Sequence, residues 1–148
     1  MKKNFFIIGC LALLVSACAN ELNRVYKSTD YDYRYEYAKQ CFAQGKYTNA
    51  ENLLIDLITL KKGTDEAQES LYMLAMSQYM NKDYETASET FRKFYSTYPK
   101  SIYAEHASFY IGQSLYMGAP EPRLDQTPTI GAINAYQNFL DFFPNSIL

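Results

Sequence analysis

The 148-residue sequence contains no tryptophan, one histidine and three cysteines, and its formal net charge is only −2. The single histidine, His106, forms no Cys–His pair or metal-ligand cluster in the sequence, and there is no glycine-rich phosphate loop. Lysine and arginine are not clustered, which argues against nucleic acid as a partner because phosphate binding needs concentrated positive charge. We therefore predict that the protein is not an enzyme and has no metal or cofactor site.

The only long apolar run covers eleven residues, from Phe5 to Val15, and follows two lysines. Such a run is too short to span a bilayer as a helix but is typical of the central region of a signal peptide. The sequence Val15-Ser16-Ala17-Cys18 resembles a bacterial lipoprotein processing site. That resemblance implies a signal peptide over residues 1–17 and acyl chains on Cys18, the lipidation site. The alternative is an ordinary signal peptide with an incidental cysteine.

Cleavage before Cys18 would change the charge and the cysteine count of the mature chain. Loss of two lysines leaves 12 basic against 16 acidic residues, a net charge of about −4. Cys10 is removed and Cys18 carries lipid, so Cys41 stands alone, on the inward face, and is expected to be buried. Two or three acyl chains would anchor the protein stably, at about 0.8 kcal/mol per buried methylene. We interpret residues 18–29 as a lipidated tether, of which residues 19–29 would be flexible and reach roughly 20 Å.

From about Tyr31 onward, helical patterns come in pairs separated by tight turns at residues 45–46 and 81–83. Small residues recur twelve positions apart, first at Ala38 and Ala50 and again at Ala75 and Ala87. In a helical hairpin such positions lie where the two helices cross most closely, because a large side chain would separate them. The pattern predicts stacked helical hairpins, which form a solenoid.

The third hairpin follows the same pattern with a longer connection. Gly112 occupies the close-crossing position, but its partner Ala132 comes 20 residues later instead of 12. The additional residues lie in the stretch GAPEPRLDQTPT, whose composition is that of a loop. We expect Thr127 to be the N-cap of the next helix and Pro128 its first residue.

These hairpins resemble the tetratricopeptide repeat. The resemblance implies an all-α fold, a tetratricopeptide-repeat α-solenoid of helical hairpins, over residues 30–148. The units are expected at about 31–64, 68–100 and 105–146, with a spacing of 37 residues from Ala50 to Ala87.

A lipoprotein signal, tetratricopeptide units and a long loop inside the third hairpin occur here in that order. The stretch DQTPTIGAINAYQNFLDFFPNS begins at the end of this loop. The positions in it that carry the resemblance include Asp125-Gln126-Thr127, Tyr136 and Phe139. Together these features resemble the BamD-type lipoproteins of outer-membrane protein assembly. The resemblance implies a scaffold and receptor subunit of the β-barrel assembly (BAM) complex. Its implied partners are a BamA-like barrel protein, other assembly subunits and unfolded outer-membrane proteins.

The resemblance extends over about the first half of that family's length. Residues 144–147 repeat residues 99–102, so a fourth unit begins where the sequence ends. We interpret the sequence as truncated to the amino-terminal, substrate-facing half, with an apolar face exposed on the last repeat.

Aromatic residues recur seven positions apart in the first helix of each hairpin. Seven residues are nearly two turns, so both rings of a pair share one helix face. The predicted peptide-binding groove consists of these pairs with one methionine between them: Tyr35, Phe42, Tyr72, Met76, Tyr79, Phe109 and Tyr116. Met80 adds a second adaptable contact. Packing of the rings between helices is the alternative interpretation. The BamD resemblance implies that the groove receives carboxy-terminal segments of unfolded outer-membrane proteins, which typically end in an aromatic residue.

The sequence also leaves a second function open. A generic tetratricopeptide envelope lipoprotein that coordinates cell-wall or division proteins would have the same repeats. The loop in the third hairpin favours the assembly role. The residue after Cys18 is Ala19 rather than aspartate, which by the sorting rule of enteric lipoproteins indicates the outer membrane. We therefore expect a lipid-anchored protein on the periplasmic face of the outer membrane.

Overall fold

The computed structural model describes residues 21–148. The predicted signal peptide and the predicted lipidation site, Cys18, lie outside the described residues. Six long helices follow one another: α1 (Tyr31–Ala43), α2 (Tyr47–Leu60), α3 (Asp65–Met80), α4 (Tyr84–Thr97), α5 (Ala104–Met117) and α6 (Thr127–Phe142). Residues 21–26 form a short additional helix, and no strand occurs between residues 21 and 148.

The six helices pair as three antiparallel hairpins, α1 with α2, α3 with α4, and α5 with α6. Each helix packs mainly against the helices before and after it in the chain, and α1 also contacts α3. This nearest-neighbour packing is the architecture of an α-solenoid. The predicted all-α repeat fold is therefore confirmed, and the second hairpin begins at Asp65, three residues before the predicted position 68.

The close crossings lie where the small residues predict them. Ala38 and Ala50 are fully buried in the first hairpin, as are Ala75 and Ala87 in the second. At Gly112 in the third hairpin, an added Cβ atom would lie 2.9 Å from the Tyr136 ring. The aromatic ring of α6 therefore occupies the space that a side chain on α5 would need.

The turns between helices depend on residues with positive φ angles and on side-chain caps. Gly45 has φ 72° and Lys82 has φ 65° in the two tight turns. The Asp30 carboxylate accepts a hydrogen bond from the Tyr33 N–H at 2.9 Å, which caps α1. The Asp83 carboxylate caps α4 in the same way through the Thr86 N–H.

The loop of the third hairpin covers residues 118–126, between the end of α5 and the start of α6. The expected cap is displaced by one position, since Gln126 is the N-cap and Thr127 is the first helical residue. The Asp125 carboxylate accepts hydrogen bonds from the Thr127 N–H at 3.0 Å and from its hydroxyl at 2.7 Å. Asp125 thus satisfies the first backbone N–H of α6, although it precedes the N-cap residue.

Residues 21–26 differ from the flexible segment that the sequence predicts. They are helical, and Val25 is fully buried in the core of the first hairpin. Leu22 packs against the same core. This part of the chain is therefore docked on the solenoid and does not act as a free linker.

The last helix, α6, has an exposed apolar face. Ile133 is 63% exposed and Leu140 is 56% exposed. The equivalent positions on α4 are Ser88, which is buried, and Tyr95, which is half-buried. The third hairpin thus presents apolar surface where the second hairpin is covered by its neighbour, as the sequence predicts.

Candidate peptide-binding surface

The first ring of each predicted aromatic pair packs inside the solenoid. Tyr35 is only 5% exposed and belongs to the core of the first hairpin. Its phenol donates a hydrogen bond to the Glu69 carboxylate, which joins α1 to α3. Burial is the largest cause that raises the pKa of Tyr35, followed by the hydrogen bond to Glu69. Tyr35 is therefore a structural residue that connects two hairpins.

Tyr72 is enclosed by other rings. It stacks on Tyr103 with 4.6 Å between centroids and makes edge contacts with Phe91 at 6.2 Å and Phe94 at 5.6 Å. Burial, with smaller effects from Tyr110 and Tyr103, raises its pKa to about 12. Tyr72 therefore packs α3 against its partner helix and against the start of the third hairpin.

Phe109 completes this inner row of rings. It contacts Tyr136 at 5.8 Å and Phe139 at 5.6 Å, and both partners lie on α6. Tyr35, Tyr72 and Phe109 thus occupy equivalent places, each beside the second helix of its own hairpin. All three rings make packing contacts, which is the alternative that the sequence left open.

The second ring of each pair lies at the turn end of its hairpin, close to the carboxyl end of the first helix. Phe42 makes an edge contact with Tyr47 at 5.7 Å, and Tyr79 makes the same contact with Tyr84 at 5.4 Å. In the third hairpin the equivalent position on α6 holds Thr129, so Tyr116 is 62% exposed. The second ring of a pair is therefore exposed in the hairpin whose second helix has no tyrosine at this position.

Methionines extend this accessible surface. Met76 is half-buried against the second core, whereas Met80 is 46% exposed. Met117, which the sequence analysis did not single out, is 43% exposed. Met80 and Met117 are 37 residues apart, which is the repeat spacing, so this periodicity could have identified Met117.

A glutamine on α5 joins Tyr79 of the second hairpin to Tyr136 of the third. The Gln113 side-chain amide donates to the Tyr79 hydroxyl at 3.5 Å and accepts from the Tyr136 hydroxyl at 2.5 Å. Burial, together with the nearby Tyr79 and Tyr116, raises the pKa of Tyr136. We define the outer surface as Tyr79, Met80, Gln113, Tyr116 and Met117. It combines polar tips with adaptable apolar contacts, which suits an extended peptide.

The sequence analysis also named one cysteine and one histidine, Cys41 and His106, as residues of potentially reactive types. Cys41 is buried, as predicted, and burial raises the pKa of its thiol. His106 is exposed and lies beside the Tyr110 ring. Between residues 21 and 148, no group of three or more potential ligands could hold a metal ion. In the same part of the chain, none of the helices has the length and apolar character needed to cross a membrane.

The hairpins, their small-residue crossings and the row of inner rings define a tetratricopeptide-type α-solenoid. Comparison with known proteins places the chain more narrowly. It belongs to the outer membrane lipoprotein family YfiO, which it matches over residues 27–147. Membership of this family locates the protein at the outer membrane.

One relative of known description supports this assignment. The chain is 32% identical over 139 residues to a protein of Aquifex aeolicus (strain VF5) described as a candidate outer membrane protein assembly factor BamD. The match covers 89% of this chain and 44% of the relative. The chain therefore spans less than half the length of that relative.

Proposed function

We propose that this protein is a lipid-anchored scaffold subunit of the machinery that assembles β-barrel proteins in the outer membrane. The observation that carries the proposal is the family match, which extends over residues 27–147. The relative described as an outer membrane protein assembly factor supports the same role. Binding is its activity, with no catalysis and no cofactor apart from acyl chains on Cys18.

The partners we propose are a BamA-like barrel protein, other assembly subunits and unfolded outer-membrane proteins. The test is affinity purification of the full-length protein from detergent-solubilised outer membranes, with partners identified by mass spectrometry. Near-stoichiometric recovery of a barrel protein is the expected result. Recovery of cell-wall or division proteins without that barrel would instead favour the alternative envelope lipoprotein.

Within this role, the outer surface receives the carboxy-terminal segments of unfolded outer-membrane proteins. Tyr116, Met117 and Met80 supply exposed contact area, and Tyr79 and Gln113 supply polar tips beside it. An aromatic residue at the end of a substrate could pack against Tyr116, since aromatic pairs contribute about 0.5–1.5 kcal/mol beyond the area that they bury. The inner rings position this surface and do not contact the peptide.

Replacement of the exposed residues tests this surface without disturbing the core. We expect Tyr116→Ala and Met80→Ala each to weaken binding of a labelled carboxy-terminal barrel peptide about three- to thirtyfold, as anchor residues do. Fluorescence anisotropy with the full-length protein measures the affinity. Phe142→Ala is the matched control, since Phe142 is 67% exposed and lies at the other end of α6. Equal losses of peptide affinity in all three variants would contradict a peptide-binding site localised at the outer surface.

A further inference from the structure

The docked helix at residues 21–26 begins close to the cysteine that we propose to be lipidated. Only two residues separate Cys18 from Glu21. Even a fully extended chain of three residues spans no more than about 11 Å. If Cys18 carries acyl chains, the first hairpin is held close to the bilayer surface, because the next residues are already fixed to it.

A buried arginine fixes this segment to the first hairpin. The Arg34 guanidinium lies 5.4 Å from the centroid of the Tyr26 ring and 5.9 Å from that of Tyr31. It also forms a salt bridge with Asp56 on α2 at 3.1 Å. Val25 anchors the same segment in the core. The two tyrosines therefore have a defined position relative to α1 and α2.

These two rings are exposed on the side away from the core. Tyr26 is 49% exposed and Tyr31 is 39% exposed. A shallow cleft of about 290 Å³ lies beside Tyr26 and is lined by Leu22 and by Ile55, which is 50% exposed, together with the polar residues Asn23, Asn52 and Asp56. The surface therefore has mixed polarity, and we call its apolar and phenol groups the anchor face: Leu22, Tyr26, Tyr31 and Ile55.

Four tyrosines are exposed among residues 21–148: Tyr26 and Tyr31 on the anchor face, Tyr33 on the opposite side of α1, and Tyr116 on the third hairpin. Tyrosine is enriched where proteins meet the bilayer surface, because its ring is apolar and its hydroxyl can remain hydrated. A phospholipid surface is therefore the occupant that fits both the chemistry and the location of the anchor face.

We propose that the anchor face lies in the headgroup layer of the membrane, so that the lipid anchor orients the solenoid rigidly. The proposal rests on lipidation of Cys18, which is part of the proposed function. The first hairpin lies against the bilayer and the outer surface on the second and third hairpins projects away from it. Tyr33 is two residues after Tyr31 on α1, so it lies on the opposite side of the helix and faces Tyr37 at 6.5 Å.

The absence of tryptophan allows a direct test with single fluorophores. Tyr26→Trp, Tyr31→Trp, Tyr33→Trp and Tyr116→Trp are introduced separately into the full-length protein, and lipidation is verified by mass spectrometry. Each variant is reconstituted into phosphatidylethanolamine and phosphatidylglycerol vesicles with or without brominated acyl chains. We expect brominated lipid to reduce emission about twofold for Tyr26→Trp and Tyr31→Trp, and much less for the two controls.

The possible results distinguish membrane contact through the anchor face from general closeness of the first hairpin to the bilayer. Equal quenching of Tyr33→Trp would contradict the proposed orientation, and quenching of neither Tyr26→Trp nor Tyr31→Trp would overturn membrane contact. An unmodified Cys18 would overturn the proposal at its first step. Recovery of the barrel partner, which tests the proposed function, is measured independently of all three results.

A second measurement leaves every tyrosine unsubstituted. Hydroxyl-radical labelling of the wild-type chain in vesicles should protect Tyr26 and Tyr31 relative to the same chain carrying Cys18→Ser without vesicles. Labelling of Tyr116 should remain the same in both samples. Unchanged labelling at positions 26 and 31 would overturn the proposal even if a tryptophan variant failed to fold.

Discussion

At the scale of single residues, the third hairpin depends on the missing side chain at Gly112. The Tyr136 ring on α6 lies where a Cβ atom on α5 would be, at 2.9 Å. Ala75 in the second hairpin has this methyl group and shares a core with Phe91, so the two hairpins reach the same crossing with different residues. A glycine on one helix is matched by a tyrosine on the other.

We predict that Gly112→Ala destabilises the protein by about 1–3 kcal/mol, because the half-buried Tyr136 ring must move and its hydrogen bond to Gln113 weakens. Urea unfolding measures the change. Gly131→Ala is the matched control, since its Cβ atom would lie 3.5 Å from Leu115, an ordinary contact distance. That substitution should stabilise α6 by up to about 1 kcal/mol. A similar loss in both variants would argue against the Tyr136 clash.

A second prediction at this scale concerns the enclosed phenol of Tyr72. Its pKa is raised to about 12 by burial, whereas an unfolded chain titrates near 10, so the folded state favours the neutral phenol. The stabilisation is complete below about pH 10 and is lost as the pH rises toward 12, by on the order of 2 kcal/mol. Unfolding free energies at pH 9–12 should fall less steeply in Tyr72→Phe than in the wild type.

Tyr116→Phe is the control for that titration because its ring is exposed. Identical slopes for the wild type and Tyr72→Phe would contradict the prediction. Absorbance at alkaline pH, which follows tyrosinate formation, provides an independent measurement.

At the scale of elements, one ion pair joins three parts of the chain. Arg34 on α1 binds Asp56 on α2 and lies beside Tyr26 of the amino-terminal helix. The arginine side chain is only 6% exposed, whereas that of Asp56 is 44% exposed. The free-energy cost of leaving one partner without its counter-charge is therefore greater for the buried arginine than for the exposed aspartate.

We predict that Asp56→Ala destabilises the protein more than Arg34→Met does. Removal of Asp56 leaves a buried guanidinium without its carboxylate, at a cost of about 1–3 kcal/mol, whereas methionine replaces the charge with apolar volume. Denaturant unfolding of both variants measures the difference. Hydrogen exchange should additionally show faster exchange at residues 21–26 in Asp56→Ala. A larger loss of unfolding free energy in Arg34→Met than in Asp56→Ala would mean that the ring contacts of Arg34 stabilise the protein more than its ion pair does.

The aromatic pairs also illustrate what an element-level pattern can predict. Spacing by seven residues correctly predicts that both rings of a pair share a helix face. It does not distinguish a ring that packs against its own second helix, such as Tyr72, from an exposed ring at the turn end of the hairpin, such as Tyr116. That distinction depends on the residue across the turn, which is Tyr84 in the second hairpin and Thr129 in the third.

At the scale of the whole molecule, packing between neighbours makes the hairpins semi-independent. The first core consists mainly of residues from α1 and α2, and the second from α3 to α6, with Ile58 packed against both. A solenoid of this kind distributes stability unevenly, because each repeat is stabilised by itself and by its neighbours only.

We predict that Leu54→Ala, at a fully buried position of α2, costs about 2–5 kcal/mol and acts locally. Hydrogen exchange should accelerate in α1 and α2 and remain nearly unchanged in α5 and α6. Phe139→Leu in the third hairpin is the reciprocal variant, and it should accelerate exchange in α5 and α6 instead. Uniform acceleration in either variant would indicate one cooperative unit.

The sequence by itself determined the repeat, the three hairpins and their close crossings. It could do so because helix periodicity and side-chain size are local properties, and a pair such as Ala75 and Ala87 reports them directly. The resemblance to BamD-type lipoproteins rested on motif order and is confirmed by family membership.

Only the tertiary structure decided which aromatic rings are accessible and how the amino-terminal segment sits. Both depend on contacts between residues far apart in the chain, such as Arg34 with Asp56 and Tyr72 with Tyr103. The sequence analysis predicted a flexible segment at residues 19–29, but the burial of Val25 and the contact of Arg34 with Tyr26 hold part of it in place. Exposure is a property of the packed molecule, because it depends on what the rest of the chain covers.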